Sequence, residues 1–237
     1  MIDLRDIWKE EAAKFLQAKK RLPHADHILG SREMGDDVDA AIRSLTERIG
    51  PIAHMRQIHG DRIVYTTTPG MYEECDALYT DSNSLWLGVK TADCLPLLIS
   101  TPEAVAAVHC GWRGLEKELL PNVIHTLQKE FSLVGSEIFI HVGPAIKTFN
   151  YEVDESFKDI FAEEHFRDSD KKGKCYLDLR SVARRQAMEA GVPDLNFYDS
   201  NLCTYDKADV FFSYRKRRQE GKKDHKVQLS LVRRRKA

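Results

Sequence analysis

Apolar positions fall first into a helical rhythm and then into short strand-length runs. Leu4, Ile7, Trp8, Phe15 and Leu16 recur at helical spacing, which predicts an amphipathic N-terminal helix over residues 3–20, within the segment 1–22, stopping near Pro23. A second helix is predicted over 36–49. Asp36 and Asp37 supply its N-cap, Val38, Ala41, Ile42, Leu45 and Ile49 form one stripe, and Gly50 suits the C-terminal cap. The pattern then changes. Short β-branched or apolar runs at 52–58, 62–67, 84–89, 95–99, 104–109 and 137–142 predict strands, divided by Pro69-Gly70, Asp81-Ser82-Asn83 and Thr101-Pro102. Helical spacing returns at about 115–131, 153–164 and 179–190, the last closed by Gly191 and Pro193. Strands resume at 195–198, 209–213 and 227–232. Strands in the middle with helices outside predict an α+β fold, one continuous domain over 1–237 with a mixed sheet or two packed sheets. Regular βαβ alternation is missing, as are G-x-G-x-x-G and the P-loop, so nucleotide binding by those devices is not expected.

Composition narrows the class without changing that layout. With 42% hydrophobic, 9% aromatic and 31% charged residues over 237 positions, the chain is neither disordered, collagenous nor membrane-spanning. A chain of this length buries about 70% of its unfolded surface, so its core needs no disulfide or metal staple. The stretch MIDLRDIWKEEAAKFLQAKKR lacks the apolar centre of a signal peptide. Five irregularly spaced cysteines (75, 94, 110, 175 and 203) then read as reduced thiols, and a cytoplasmic location is expected. The net charge of −1 hides an asymmetry: residues 215–237 hold eleven Lys/Arg against Glu220 and Asp224, so the rest of the chain carries −10. A basic end can meet nucleic acid or phosphate. No aromatic follows Tyr214 to stack on bases, so a solvated basic C-terminal segment with no nucleic-acid or membrane partner is expected.

Three segments place reactive residues at strand ends among glycines and prolines: Gln57-Ile58-His59-Gly60, Thr91-Ala92-Asp93-Cys94-Leu95-Pro96 and Val108-His109-Cys110-Gly111-Trp112-Arg113-Gly114. Two His and one Cys suit Zn²⁺, because thiolate and imidazole are its preferred ligands and three of them leave a fourth position open. The intervals of 34 residues between His59 and Cys94, and 14 between Cys94 and His109, are not those of a compact finger. Spacing alone therefore leaves structural histidines as the alternative. A second chemistry uses the same atoms, with Cys94 as a thiolate nucleophile and His109 as its base. Cys94 as a small buried hydrophobe is the structural alternative. Neighbouring strand residues point to opposite faces, so Cys110 and His109 should not share a site. Cys75, Cys175 and Cys203 show no partner pattern and read as structural.

The same segments carry a resemblance. QIHGD, DALYTD, KTADCLP, AVAAVHCGWRG, VGPAI with YEVDESF, YLDL and FFSYR resemble the YfiH/YlmD family over about residues 27–232. Its members are also called laccase-domain or polyphenol oxidase family proteins and are related to the human protein FAMIN. The resemblance implies a compact α/β/β/α layered domain with mixed sheets, similar to a bacterial toxin deamidase domain. It also implies one zinc held by His59, Cys94 and His109, with copper as the alternative ion, because the family was first described as copper-dependent laccases. Finally it implies purine nucleoside chemistry: phosphorolysis of adenosine, inosine, guanosine and methylthioadenosine, and deamination of adenosine. Purine nucleosides and phosphate are then the expected small-molecule partners.

Under that reading Cys94, Asp93 and Asp76 form the catalytic set, the two carboxylates as acid/base candidates; capping of backbone amides in turns is their alternative role. Arg113 is the first candidate for phosphate, followed by Arg32 and Arg215, whose positions resemble arginines the family uses around its pocket. Structural ion pairing is the alternative for all three. Trp112 is expected to pack beneath its loop. The chain departs from the family pattern in three places. The Gly-rich TTRxGGVS segment and the following SLNL stretch are reduced to ILGSREMGDDVD, which keeps Arg32 but loses the double glycine and about ten residues. The Thr-Gly-Arg after SYR is replaced by QEGKKDHK at 219–226, and Cys110 stands where Ala is common. Three classes therefore remain: a zinc-dependent purine nucleoside enzyme, a metal-independent Cys94/His109 hydrolase, and a non-catalytic purine-binding protein. Polyphenol oxidation has the least support, since it wants several copper sites where one His/Cys cluster is visible.

Overall fold

Every strand run and helix stripe has an apolar face to cover, and the layers follow from which faces meet. A computed structural model describes residues 22–236; the helix expected over 3–20 lies outside the described residues. In chain order the strands are β1 (Ala25–Ile28), β2 (Ile52–Arg56), β3 (Ile63–Tyr65), β4 (Gly70–Glu73), β5 (Ala77–Thr80), β6 (Trp86–Thr91) and β7 (Leu95–Ser100). They continue with β8 (Val105–Cys110), β9 (Phe139–Val142), β10 (Glu152–Asp154), β11 (Phe166–Asp168), β12 (Lys174–Leu177), β13 (Phe197–Asp199) and β14 (Gln228–Arg234). The α-helices are α1 (Val38–Ile49), α2 (Trp112–Glu116), α3 (Leu119–Phe131), α4 (Leu179–Glu189) and α5 (Tyr214–Gln219).

One sheet has the order β1-β14-β6-β2-β4, a second β13-β9-β7-β8-β5-β3, and a small third β10-β12-β11. Both large sheets are mixed: β2 runs parallel to β4 and β6, and β3 to β5, while β7, β8 and β9 pair antiparallel. The large sheets meet face to face. Met55, Leu87, Val89 and Val232 of the first interdigitate with Leu78, Leu98, Val105 and Ala107 of the second. The outer face of the first sheet, with Ile52, Trp86, Leu229 and Leu231, lies under Ile42, Leu45 and Ile49 of α1. The outer face of the second is covered by α3 and α4 through Leu120, Val123, Ile124, Leu127, Val182 and Ala187. The result is the α/β/β/α layering expected of an α+β chain. Burying each such aliphatic side chain contributes about 1.5–3 kcal/mol, so the three apolar interfaces between layers fix the architecture.

Local chemistry explains the elements that the pattern predicted. The Asp37 carboxylate accepts the Asp39 and Ala40 N–H groups at 3.0 Å and starts α1; Trp86 Nε1 donates to the carbonyl of Ile49 at its other end at 3.1 Å. Four expectations are corrected. The helix expected over 115–131 is two helices, because Glu118 takes a left-handed φ of 56° between α2 and α3. The helix expected over 153–164 is strand β10 followed by 3₁₀ turns at Glu155–Asp159 and Glu163–His165. Glu152–Asp154 pair with Lys174–Tyr176, and the Glu155 N–H is taken by the carbonyl of Gly173, so tertiary pairing overrides the local spacing. The strand expected at 209–213 is a turn in which the N–H groups of Val210 and Phe211 both donate to the carbonyl of Lys207. Phe211 and Phe212 are both buried, and the Gln228 side chain satisfies the Phe212 backbone in place of a sheet ladder. Finally, the basic C-terminal segment is a solvated terminus only in part: residues 218–225 are exposed, but β14 is an inner strand between β1 and β6. Its cations are held, Arg233 over the Trp86 ring, Arg234 on the carbonyl of Pro102, and Arg235, just beyond the strand, on the carbonyls of Leu22 and Ala25. No helix among the described residues is long and apolar enough to cross a membrane.

Strands β1 and β9 belong to different sheets, and between them His27 Nε2 and His141 Nδ1 lie 3.1 Å apart. Burial lowers the His141 pKa from its usual 6.5 to about 4. As pH falls from 6.5 towards 4 the unfolded chain takes up this proton and the native chain does not, so stability declines across that window. The full shift corresponds to roughly 3 kcal/mol. Urea unfolding at pH 7 and pH 4.5 should show that His141→Asn flattens this dependence relative to the parent chain; parallel pH profiles would show that His141 is not its source.

Candidate metal centre

The chain passes from one large sheet to the other between β6 and β7, and the turn at that crossing carries Asp93 and Cys94. His109 lies in β8, opposite Pro96 of β7. Alternation along β8 sends Val108 and Cys110 to the helix side, and Val105 and Ala107 to the seam between the sheets. His109 therefore points to the seam and Cys110 away from it, fully buried. His59 comes from the loop after β2, in the opposite sheet, with a left-handed φ of 58°. The ligand atoms of His59, Cys94 and His109 all lie within 4.8 Å of one another, and Cys94 Sγ is 4.0 Å from His59 Nε2. Metal–ligand bonds of about 2.1 and 2.3 Å place tetrahedral donors roughly 3.5 Å apart, so small side-chain adjustments close the group on an ion.

Two further observations fit an ion there. A Cβ at Gly111 would stand 3.0 Å from Cys94 Sγ and 3.3 Å from the His59 ring, so glycine keeps the donor cradle open. Behind His109, the Asp76 carboxylate accepts from Nδ1 at 2.7 Å, which leaves Nε2 turned towards the group. The same carboxylate accepts the N–H groups of Ile58, His59 and Gly60 at 3.2, 3.0 and 2.8 Å and so holds the loop that carries His59. Burial alone would raise the Asp76 pKa; the bond to His109 and the backbone donors outweigh it and hold it below the usual range. Burial likewise opposes charge on Cys94 and His109, but each stabilises the other's charged form. The thiol is lowered and the imidazole raised, which favours a thiolate–imidazolium pair in the metal-free protein. The other four cysteines are buried and outside this group.

Asp93 is turned to a different task. At a φ of 94°, its carboxylate accepts from the Thr204 hydroxyl at 2.6 Å, the Ser213 hydroxyl at 3.1 Å and the Arg215 N–H at 2.7 Å. Burial raises its pKa, and these three donors offset that only in part. Both carboxylates thus cap and position neighbouring segments. None of the three arginines has a carboxylate within salt-bridge distance among the described residues. Arg113 is exposed, its guanidinium 4.3 Å from the Trp112 ring centroid. Arg215 lies 5.1 Å over the Tyr151 ring and donates through Nη1 to the carbonyl of Glu152 at 2.9 Å. Arg32 lies 4.7 Å over Phe212, in the shortened segment before α1. Trp112 packs against Phe157 with ring centroids 4.9 Å apart. Sequence reasoning named the ligand set and both carboxylates but missed Thr204, Ser213 and Gly111. Only Gly111, between His109 and Arg113, carried a local signal.

Comparison with known proteins places this arrangement. Residues 26–229 match the family described as multi-copper polyphenol oxidoreductase laccase. A purine nucleoside phosphorylase of Haemophilus influenzae is 32% identical over 216 residues, 84% of this chain and 85% of its own length. One of Bacteroides thetaiotaomicron is 34% identical over 154 residues, 62% of this chain, and the match spans 57% of the relative. An adenosine deaminase from an unknown prokaryotic organism is 32% identical over 152 residues, 61% of this chain and 58% of its own. The crystal structure of YlmD from Geobacillus stearothermophilus aligns with a TM-score of 0.80 at 26% identity, over 91% of this chain and 93% of that one.

Asp76→Asn keeps the size but sets an amide NH₂ against a ring of N–H donors. Urea unfolding should show a loss of about 3 kcal/mol, as for a broken buried pair. Competition against a chelator should show zinc bound roughly 10–100-fold more weakly. Unchanged values in both measurements would remove Asp76 from the role of holding the two histidines.

Proposed function

The chain belongs to the multi-copper polyphenol oxidoreductase laccase family, and from that premise we propose that it is a zinc-dependent purine nucleoside enzyme acting chiefly by phosphorolysis. The observation that carries this reading is the pairing of a His59/Cys94/His109 donor group with guanidinium groups that have no carboxylate partner among the described residues. Arg113 lies four residues beyond His109, in α2, whose capping Gly111 abuts Cys94 Sγ. The backbone of Arg215 is tied to Asp93, the neighbour of Cys94. Cations without carboxylate partners beside a donor group suit a multiply charged anion, and guanidinium matches phosphate oxygens two at a time.

In phosphorolysis a phosphate oxygen bonds to ribose C1′ while the C1′–N9 bond breaks, its electron pair leaving with the purine, which takes up a proton. Arg113 and Arg215 hold and orient the phosphate. Asp93 keeps Arg215 in place, and Asp76 keeps His109 in the tautomer that offers Nε2. Cys94 acts as a ligand and not as a nucleophile. Zinc bound by His59, Cys94 and His109 supplies Lewis acidity for charge that develops during reaction. Deamination of adenosine would use the same donor group, with water adding at purine C6 and ammonia leaving. A soft thiolate with two imidazoles also takes copper, but multi-copper oxidation needs further clusters, and this is the one such group among the described residues. The thiolate–imidazolium pair favours one other reading, a metal-independent Cys94/His109 hydrolase.

Purified protein incubated with adenosine should yield adenine and ribose 1-phosphate when phosphate is present, with inosine as the deamination product. Elemental analysis should find stoichiometric zinc, lost together with turnover in Cys94→Ala. Zinc unchanged in that variant would remove Cys94 from the ligand set. Turnover that survives a chelator but not thiol alkylation would establish the hydrolase instead.

A further inference from the structure

Tyr151 lies just before β10, and its place is fixed from several sides. Its N–H donates to the carbonyl of Thr148 at 2.9 Å, and its carbonyl accepts from the Leu177 N–H at 3.1 Å. Arg215 covers one face of the ring and donates to the carbonyls of Asn150 and Glu152, the residues on either side of it. Arg215 is itself bound to Asp93 through its backbone, and the Ile146 N–H donates to the Asp93 carbonyl at 2.9 Å. Tyr151 is therefore clamped to the same turn that presents Cys94.

The ring is half-buried, and its hydroxyl, open to solvent, has no hydrogen-bond partner among the described residues. The charged groups that face the phenol are Cys94, Arg215, Asp93 and Arg113, all belonging to the site. Burial first, then the two anions, raise its pKa far above the usual range against the two arginines, so it remains an O–H donor at neutral pH.

We propose that Tyr151 is a phosphate-binding residue, its hydroxyl donating to an oxygen of the inorganic phosphate held by Arg113 and Arg215. The proposal rests on the phosphorolytic reading above and adds a residue to it. The chemistry of the set selects the ligand. Two guanidinium groups offer only donors and the phenol adds an O–H, and the complement of several donors is an anion with several acceptor oxygens. A purine or ribose edge, which mixes donors with acceptors, would leave some of them opposed.

Tyr151→Phe keeps the ring beneath Arg215 and removes only the hydroxyl. Because that hydroxyl bonds to nothing among the described residues, the melting temperature should be unchanged. In steady-state phosphorolysis by the zinc-loaded enzyme the KM for phosphate should rise roughly ten-fold or more, as for loss of a hydrogen bond to a charged group. The KM for nucleoside, and any phosphate-free deamination, should stay constant. An unchanged KM for phosphate, or a rise in the KM for nucleoside instead, would overturn the assignment and leave the phosphorolytic reading standing. If the parent chain turns over no nucleoside, that reading fails and calorimetric titration with inorganic phosphate decides on Tyr151. Weaker binding by the variant supports the assignment, whereas equal binding, or none by the parent, overturns it.

Discussion

One buried carboxylate organises the centre of this protein. Asp76 is fully buried and accepts four donors: the Nδ1–H of His109 and the backbone N–H groups of Ile58, His59 and Gly60. An isolated charge in that position would cost several kcal/mol, and it is tolerated because every donor is aligned on it. The bonds also join two sheets. His109 rides on β8 of the six-stranded sheet and His59 on the loop leaving β2 of the five-stranded sheet, so a single side chain sets the distance between ligands from opposite layers. Cys94, at the crossing between those sheets, completes the group with no separate scaffold.

Asp93 repeats the principle on the other flank. Its carboxylate gathers Thr204, Ser213 and the start of α5, which brings Arg215 beside the Cys94 turn. Two acidic residues that read equally well as acid/base groups thus each hold neighbouring segments through their hydrogen bonds. Beside them lie a soft-ligand trio, arginines without carboxylate partners and a phenol. An anion next to a Lewis acid is the occupant proposed for that surface. That chemistry agrees with relatives named purine nucleoside phosphorylase and adenosine deaminase better than with electron transfer to oxygen through several coppers.

Two of the three expected departures from the family pattern fall around this centre; the third, Cys110, is the strand neighbour of His109 and points to the helix side. The shortened segment before α1 still places Arg32 over Phe212, one residue before Ser213, which bonds to Asp93. The stretch at 219–226 makes its own contacts, with Asp224 paired to Arg217 and Lys226 to Asp36 and Asp224, and ends where β14 begins. The basic charge of that end serves the fold: where a run of arginines enters a sheet, the carbonyls and the indole face of the neighbouring strands and loops are its partners.

The sequence by itself determined the elements whose signal is local. The α1 stripe with its Asp37 cap, the apolar runs of β6, β7 and β8, and the α4 helix before Gly191 follow from periodicity and capping, which need no distant partner. It also singled out the three residues that converge as a candidate donor group, because imidazole and thiolate at strand ends carry their chemistry wherever they lie. Tertiary structure alone decided the rest. Residues 153–164 could satisfy a helix or a strand, and pairing with β12 chose the strand. Phe211 and Phe212 look like strand residues until Gln228 takes their backbone. Whether Asp76 and Asp93 would act as acids or as anchors depended on which donors the fold brought to them from 16 to 122 positions away along the chain. Convergence of that kind leaves no trace in local spacing, since hydrogen bonds between segments are set by how the layers stack and not by the order of residues within any one of them.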